Sequence, residues 1–356
     1  MFEYISNTVK VKGLLEIRMP VKIEVSLSCW YLMRRLVVKF FAIWVILLLC
    51  FPGITWAKQL DFSKKTTEEH IQFNYQWLDQ DQQPQALSFS IEKVHLFNRF
   101  RNFKSYKAKH AKKYLDQKIR KTLKQNPIAN VKVKFLGRGD NLQIELTGRD
   151  QAAINQAHQT IAQLEQDLMH EHLARNFYTQ FVTYDNNYAI KPDHIRFAQE
   201  SVIDFAALKP LILDNVAIQN VRKVSNYVLG FIQSIPYATL ESRVSSTGAG
   251  FNPPLQTLWQ NQGDCDSKVT LTAAIFRALM PRIKMMLVFI DNHALIALNI
   301  PSEADELTIS VDGLDYILAE PTGPAMMRVG ELSADSEFAI RNGRYYAEAF
   351  FADPST

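Results

Sequence analysis

The segment Gly263-Asp264-Cys265-Asp266-Ser267-Lys268 constrains this chain more than any other. A Gly-Asp turn leads into residues 267–279, where apolar side chains recur at helical spacing, so Cys265 stands at the start of a helix. Asn292-His293-Ala294 follows 28 residues after the cysteine, at the end of the apolar strand-like run 285–290. Glu320-Pro321-Thr322 comes 27 residues later, at the end of another strand-like run. One helix and an antiparallel sheet then carry a thiol, a base and a carboxylate in a single order, which makes the expected class α+β. A thiol attacks only as thiolate, and a neighbouring histidine or a helix N-terminus lowers its pKa from about 8.5 into the ~3.5–7.5 range. Cys265 has access to both aids, and the carboxylate would orient the base.

The motif resembles the transglutaminase-like superfamily, the papain-like group that holds transglutaminases and bacterial transglutaminase-like cysteine peptidases. The resemblance spans residues 215–330. It rests on Pro254-Leu255-Gln256-Thr257-Leu258 leading into Gln262-Gly263-Asp264-Cys265-Asp266, on the strand ending in His293-Ala294, and on Glu320-Pro321-Thr322. It implies a papain-like or transglutaminase-like core with Cys265 as nucleophile, His293 as general base and then acid, and Glu320 as third member. That third position is more often Asp, and Glu can orient an imidazole too. The Cys265 amide would form half of an oxyanion hole. Gln233, Tyr237, Trp259 or Gln262 would supply the other half, with Gln233 favoured and Gln262 the next candidate. Asp312 and Asp315 compete with Glu320, but Val311-Asp312-Gly313-Leu314 reads as a hairpin turn.

Composition limits what surrounds this site. Cys29 and Cys50 fall in the first 57 residues, which leaves Cys265 alone in the remainder and rules out a disulfide framework there. The histidines are scattered without metal-ligand spacing, so no metal or other cofactor is expected. Met33-Arg34-Arg35 and Lys39 precede twelve apolar residues, 40–51, and then Pro52-Gly53 and Thr55-Trp56-Ala57. This is the pattern of a signal peptide cleaved after Ala57, with Met33 a possible start. The alternative is an anchor over residues 36–54, although the run is shorter than the ~20 residues of a spanning helix. The favoured location is therefore exported, periplasmic or secreted.

The 40 Lys+Arg and 36 Asp+Glu of the chain become 33 of each once residues 1–57 are set aside. Charge is nevertheless uneven. Residues 95–126 hold eleven Lys/Arg against Asp116 alone, and read as one long helix with a stripe of Phe97, Phe100, Phe103, Tyr106, Tyr114, Leu115, Ile119 and Leu123. Any partner of that helix would be anionic, such as phosphate-rich glycan, anionic lipid or an acidic protein of the cell envelope. Nucleic acid is not expected. Strands at 71–78 and 86–94 precede it; strands at 131–136 and 142–147 and a helix from Asp150 to about Asn176 follow. The pattern is ββα twice, an accessory α+β domain over 58–180 ahead of a catalytic domain over 181–356. His194 reads as structural, and residues 244–250 as a Ser/Gly-rich loop bordering a cleft.

The expected function is attack of Cys265 on an amide carbonyl of a protein or peptide substrate, through a thioester. Hydrolysis is favoured; a crosslinking transglutaminase with an amine acceptor is the alternative. A catalytically silent binding domain of an envelope assembly is the reading from another class. The oligomeric state is not legible.

Overall fold

The computed structural model describes residues 58–216, 220–241 and 250–351. The expected signal peptide or anchor, and residues 244–249 of the expected loop, lie outside the described residues. No helix among the described residues is long and apolar enough to cross a membrane. The fold mixes α and β, as the motif pattern implies.

Strands β1 (Lys58–Thr66), β2 (His70–Leu78) and β3 (Pro84–Glu92) form an antiparallel meander. In β2 the alternation is strict, so Ile71, Phe73, Tyr75 and Trp77 share one buried face. β1 lacks that alternation, which is why its sequence gives no strand signal. Helix α1 (Lys93–Asn98) is short, and α2 (Ala108–Gln125) begins ten residues after it ends. The expected long helix is thus broken. Phe100 and Phe103 leave the helical stripe to pack on Phe197, at ring separations of 4.7 and 4.9 Å, and the burial of these rings outweighs helix continuity. The hairpin β4 (Val131–Leu136) and β5 (Gln143–Gly148) and helix α3 (Gln151–Arg175) close a small unit with α2. Its core is Leu115, Ile119, Leu123, Ile161 and Leu168, with Val133, Phe135, Ile144 and Leu146 from the hairpin.

The hairpin β6 (Tyr178–Val182) and β7 (Tyr188–Pro192) leads into helices α4 (His194–Ser201), α5 (Leu208–Asn215), α6 (Val221–Ser234), α7 (Pro254–Gln260) and α8 (Cys265–Leu279). Strands β8 (Met285–Ile290), β9 (His293–Leu298), β10 (Thr308–Val311) and β11 (Leu314–Ala319), helix α9 (Ala334–Arg341) and β12 (Tyr346–Phe350) complete the described chain. The main sheet runs β10-β11-β9-β8-β12 and is antiparallel throughout. One face packs with α8 through Met285, Leu287, Ile296, Leu298 and Ile317. The other carries Met286, Val288, Leu295, Leu318 and Ile340 of α9. Coverage of both faces explains why these strands read as continuous apolar runs rather than alternating ones.

The first sheet belongs to the same core as α8. Trp77 meets Tyr227 and Phe231 of α6 at 5.3 and 5.5 Å, and the Tyr75 hydroxyl donates to the Leu258 carbonyl at 2.9 Å. The packing therefore divides the region expected as 58–180. β1–β3 join the large core, whereas α2, β4, β5 and α3 keep a core of their own.

Candidate functional site

Cys265 is the first residue of α8, and Asp264 is its N-cap. The Asp264 carboxylate accepts from the Ser267 amide at 2.9 Å and from the Ser267 hydroxyl. The segment before α8 is pinned to residues 236–238: Gly263 N donates to Pro236 O at 3.2 Å, and Ala238 N donates to Gly263 O at 3.1 Å. Glycine fits closely at 263, where an added Cβ would press on the Thr257 and Ser267 side chains at 3.0 and 3.3 Å. The cysteine is half-buried and free. Its sulfur lies 4.0 Å from the Asn292 carbonyl oxygen.

His293 enters from the other side. It opens β9 directly after the two-residue turn Asp291-Asn292, and Asn292 takes a φ of 57°, a conformation that asparagine tolerates better than most residues. Asp291 is tied to the Tyr184 hydroxyl at 2.8 Å and to Arg344, which anchors the turn to β6–β7 and to the start of β12. His293 Nε2 lies 3.8 Å from Glu320 Oε2. Burial by itself lowers the basicity of the ring. The Cys265 side chain and the Glu320 carboxylate, as hydrogen-bond partners and as charges, outweigh it and bring its pKa to about 10.

Glu320 follows β11 and is 3% exposed. Its Oε1 accepts from the Ser333 hydroxyl at 2.8 Å and from the Ser333 amide at 3.2 Å. Burial would raise the carboxyl, but His293, Ser336 and Ser333 together hold it below the usual range. Ser333 is the N-cap of α9, so one hydroxyl serves both the helix and the carboxylate. The cap is legible in Ser333-Ala334-Asp335-Ser336, but its service to Glu320 is not.

The side-chain oxyanion candidates separate. Gln233 is 1% exposed, and its amide nitrogen donates to Glu320 O at 2.8 Å and to Met327 O at 2.9 Å. Both amide hydrogens are committed to backbone, so Gln233 fixes the Glu320 segment and is no oxyanion donor; its burial in α6 faces that segment. Trp259 is engaged by Lys64, whose ammonium sits 3.7 Å from the ring centre, and by Phe97. Gln262 lies three residues before the cysteine, with its side-chain nitrogen 3.4 Å from Gln260 Oε1. Tyr237 is held beside the cysteine by its bridge to Gly263. Burial and then the nearness of Cys265 and Asp264 push its hydroxyl upward, so it stays protonated. Asp315 is occupied elsewhere, by the Ser310 hydroxyl, and Asp312 forms the β10–β11 turn with Gly313 at φ 50° and 75°.

A second polar layer escaped the sequence reading. Lys268 is fully buried and donates to the Ile235 carbonyl; burial brings its pKa down to about 7, against the opposing pull of Cys265 and Asp264. Burial and the neighbouring Asp266 raise Asp264 to about 7. Asp266, a partly exposed acid beside it, is also pushed upward by loss of solvent, against the pull of Lys191 and His293. His194 is wholly buried, shares a 3.2 Å hydrogen bond with the Thr270 hydroxyl, and is kept neutral by burial and by Lys191. Compared with protein-family models, with curated proteins and with solved structures, the chain gives no match.

Proposed function

We propose that the chain is a thiol enzyme with a transglutaminase-like, papain-like core that attacks an amide carbonyl through Cys265. The convergence of a cysteine at a helix N-terminus, a histidine at a strand start and a buried glutamate at a strand end carries this reading. At neutral pH the His293 ring, with its pKa near 10, is an imidazolium, which suits a resting ion pair with a thiolate. In the first half-reaction the sulfur bonds to the carbonyl carbon, and the carbonyl electrons move to oxygen. The amide of Cys265, which lies in the first turn and has no intrahelical acceptor, and the Tyr237 hydroxyl receive that oxyanion. His293 then gives its proton to the leaving amine as the C–N bond breaks, leaving a thioester. Glu320 keeps the ring oriented and stabilises its cationic form.

Water completes hydrolysis in the favoured version, with His293 taking its proton. Export to the cell envelope and a protein or peptide substrate belong to the same proposal. Labelling with a thiol-directed amide or ester probe, followed by mass spectrometry, tests it. A mass increase on the peptide carrying Cys265 that decays in water supports hydrolysis, and decay that needs an added amine supports transfer. Failure of Cys265 to form any acyl adduct, in a chain that binds envelope protein unchanged, would favour the silent binding domain.

A further inference from the structure

The unit built from α2, β4–β5 and α3 has a concavity that shares no lining residue with the Cys265 site. A cavity of about 390 Å³ opens between the two helices and the hairpin, floored by Leu115, Ile119, Ile144, Leu146 and Ile161. At Asp116 and Gly139 it adjoins a groove of about 800 Å³ that is lined by Lys109, Lys113, Arg120 and Arg138. Asp116 offsets that groove only in part, through Arg120 and its nearness to Arg138. It is buried, it pairs with Arg120 of the same helix, and it accepts from the Gly139 amide at 2.9 Å. Arg120 also donates to the Gly137 carbonyl at 2.6 Å, so this one contact set fixes the 137–142 turn against α2. Lys109, Lys113 and Arg138 are exposed and make no ion pair among the described residues.

An apolar floor beside exposed cations that outnumber the one acid among them selects a molecule with both characters. A polyanion would leave the floor without a partner, and a neutral lipid would leave the cations without one. We propose that cavity and groove together bind an anionic amphiphile with one hydrocarbon chain. The chain occupies the cavity between α2 and α3, and a phosphate or carboxylate head lies against Lys109, Lys113 and Arg138. The volume is near the lower end of the roughly 300–1,000 Å³ of ligand pockets, which fits one chain rather than two. Glu165 of α3 also lines the cavity and repels an anionic head, so the head faces the groove. This site is independent of the thiol chemistry proposed for Cys265.

The test is calorimetric titration of the full chain with dodecyl phosphate below its critical micelle concentration, against inorganic phosphate and dodecyl maltoside. Saturable binding of dodecyl phosphate at least tenfold tighter than either control is expected. The double variant Lys113→Glu/Arg138→Glu should weaken it at least tenfold by reversing the head-group charges. Ala162→Phe should do so independently, since Ala162 lines the cavity from an exposed position on α3 where a larger side chain leaves the fold intact. Binding to any other segment would not respond to these changes, and circular dichroism confirms folding of each variant. Inorganic phosphate or dodecyl maltoside binding as tightly as dodecyl phosphate would overturn the proposal, as would the absence of saturable binding. So would dodecyl phosphate affinity unmoved by Ala162→Phe.

Discussion

Helices α8 and α2 are similar in length and opposite in their use of polar residues. In α8 every residue except Cys265, Asp266 and Ala278 is buried, and the buried set includes Ser267, Lys268, Thr270, Thr272 and Arg277. Each of these has a defined acceptor: Asp264 Oδ1 for Ser267, Ile235 O for Lys268, Asp266 O for Thr270, Lys268 O for Thr272, and Pro281 O, Ile283 O and Phe350 O for Arg277. In α2 only Ala111, Leu115, Asp116, Ile119 and Leu123 are buried, and the lysines are solvated. A buried polar group is costly unless its partners are placed, so around α8 position is specified atom by atom. Around α2 it is specified by one apolar stripe and a single polar set, Asp116 with Arg120 and the Gly139 amide. Substitutions of polar residues should therefore matter greatly in the first region and, outside that set, little in the second.

The largest contrast is expected at the cysteine. Cys265→Ala should reduce acyl transfer by roughly a thousandfold or more, in line with removal of the proposed nucleophile, while leaving thermal stability close to that of the parent. Turnover assays alongside thermal melts check both halves, and retained turnover would remove the mechanism. Next comes the carboxylate. Glu320→Gln should lower activity partially, and Glu320→Ala further, up to about 10⁴-fold, because the ring loses both orientation and charge compensation. Asp315→Asn, on the same sheet but bonded to Ser310, should have little effect. A reversed ranking in the same assay would move the third role to Asp315.

A smaller effect is expected one layer further out. Gln233→Leu leaves the Glu320 and Met327 carbonyls without their donors, at a cost of about 1–3 kcal/mol each when buried. Chemical denaturation should show that loss, together with reduced acyl transfer because Glu320 is held less firmly. A variant that loses activity with unchanged stability would instead return Gln233 to the oxyanion role. The smallest effect belongs to α2: Lys118→Gln or Lys121→Gln should shift stability by no more than about 0.5 kcal/mol. A larger destabilisation in the same denaturation experiment would mean that the α2 surface is as specified as the region of α8, and the contrast would fail.

The same contrast accounts for what the sequence disclosed. Helix α8, strand β8 and the Asp312-Gly313 turn were legible because spacing, apolar runs and turn chemistry are local signals. Cys265, His293 and Glu320 were legible as a motif, but His293 was expected at a strand end and instead opens β9, because Asp291-Asn292 turn the chain straight back from β8. The break between α1 and α2 was not legible, since Phe100 and Phe103 keep helical spacing and only the distant Phe197 and Phe251 show why they leave it. Gln233 was misassigned because a buried amide in an apolar helix advertises donors without naming their acceptors. Lys268 gave no signal at all: one turn after the cysteine, a lysine reads as solvated, and only the packed structure places it under Ile235.

The proposed chemistry depends on the coupling of Cys265 to His293, and alkylation measures it directly. Cys265 is the only cysteine among the described residues, so iodoacetamide incorporation reads one thiol there, with the labelled peptide identified by mass spectrometry. The ring, protonated up to about pH 10, places a positive charge beside the sulfur. The parent protein should therefore react at pH 6 at a rate within a few-fold of that at pH 8.5, whereas His293→Gln should lose at least tenfold of its rate at pH 6 and little at pH 8.5. Identical pH profiles for parent and variant would contradict the pairing of thiol and imidazole on which the proposed chemistry rests.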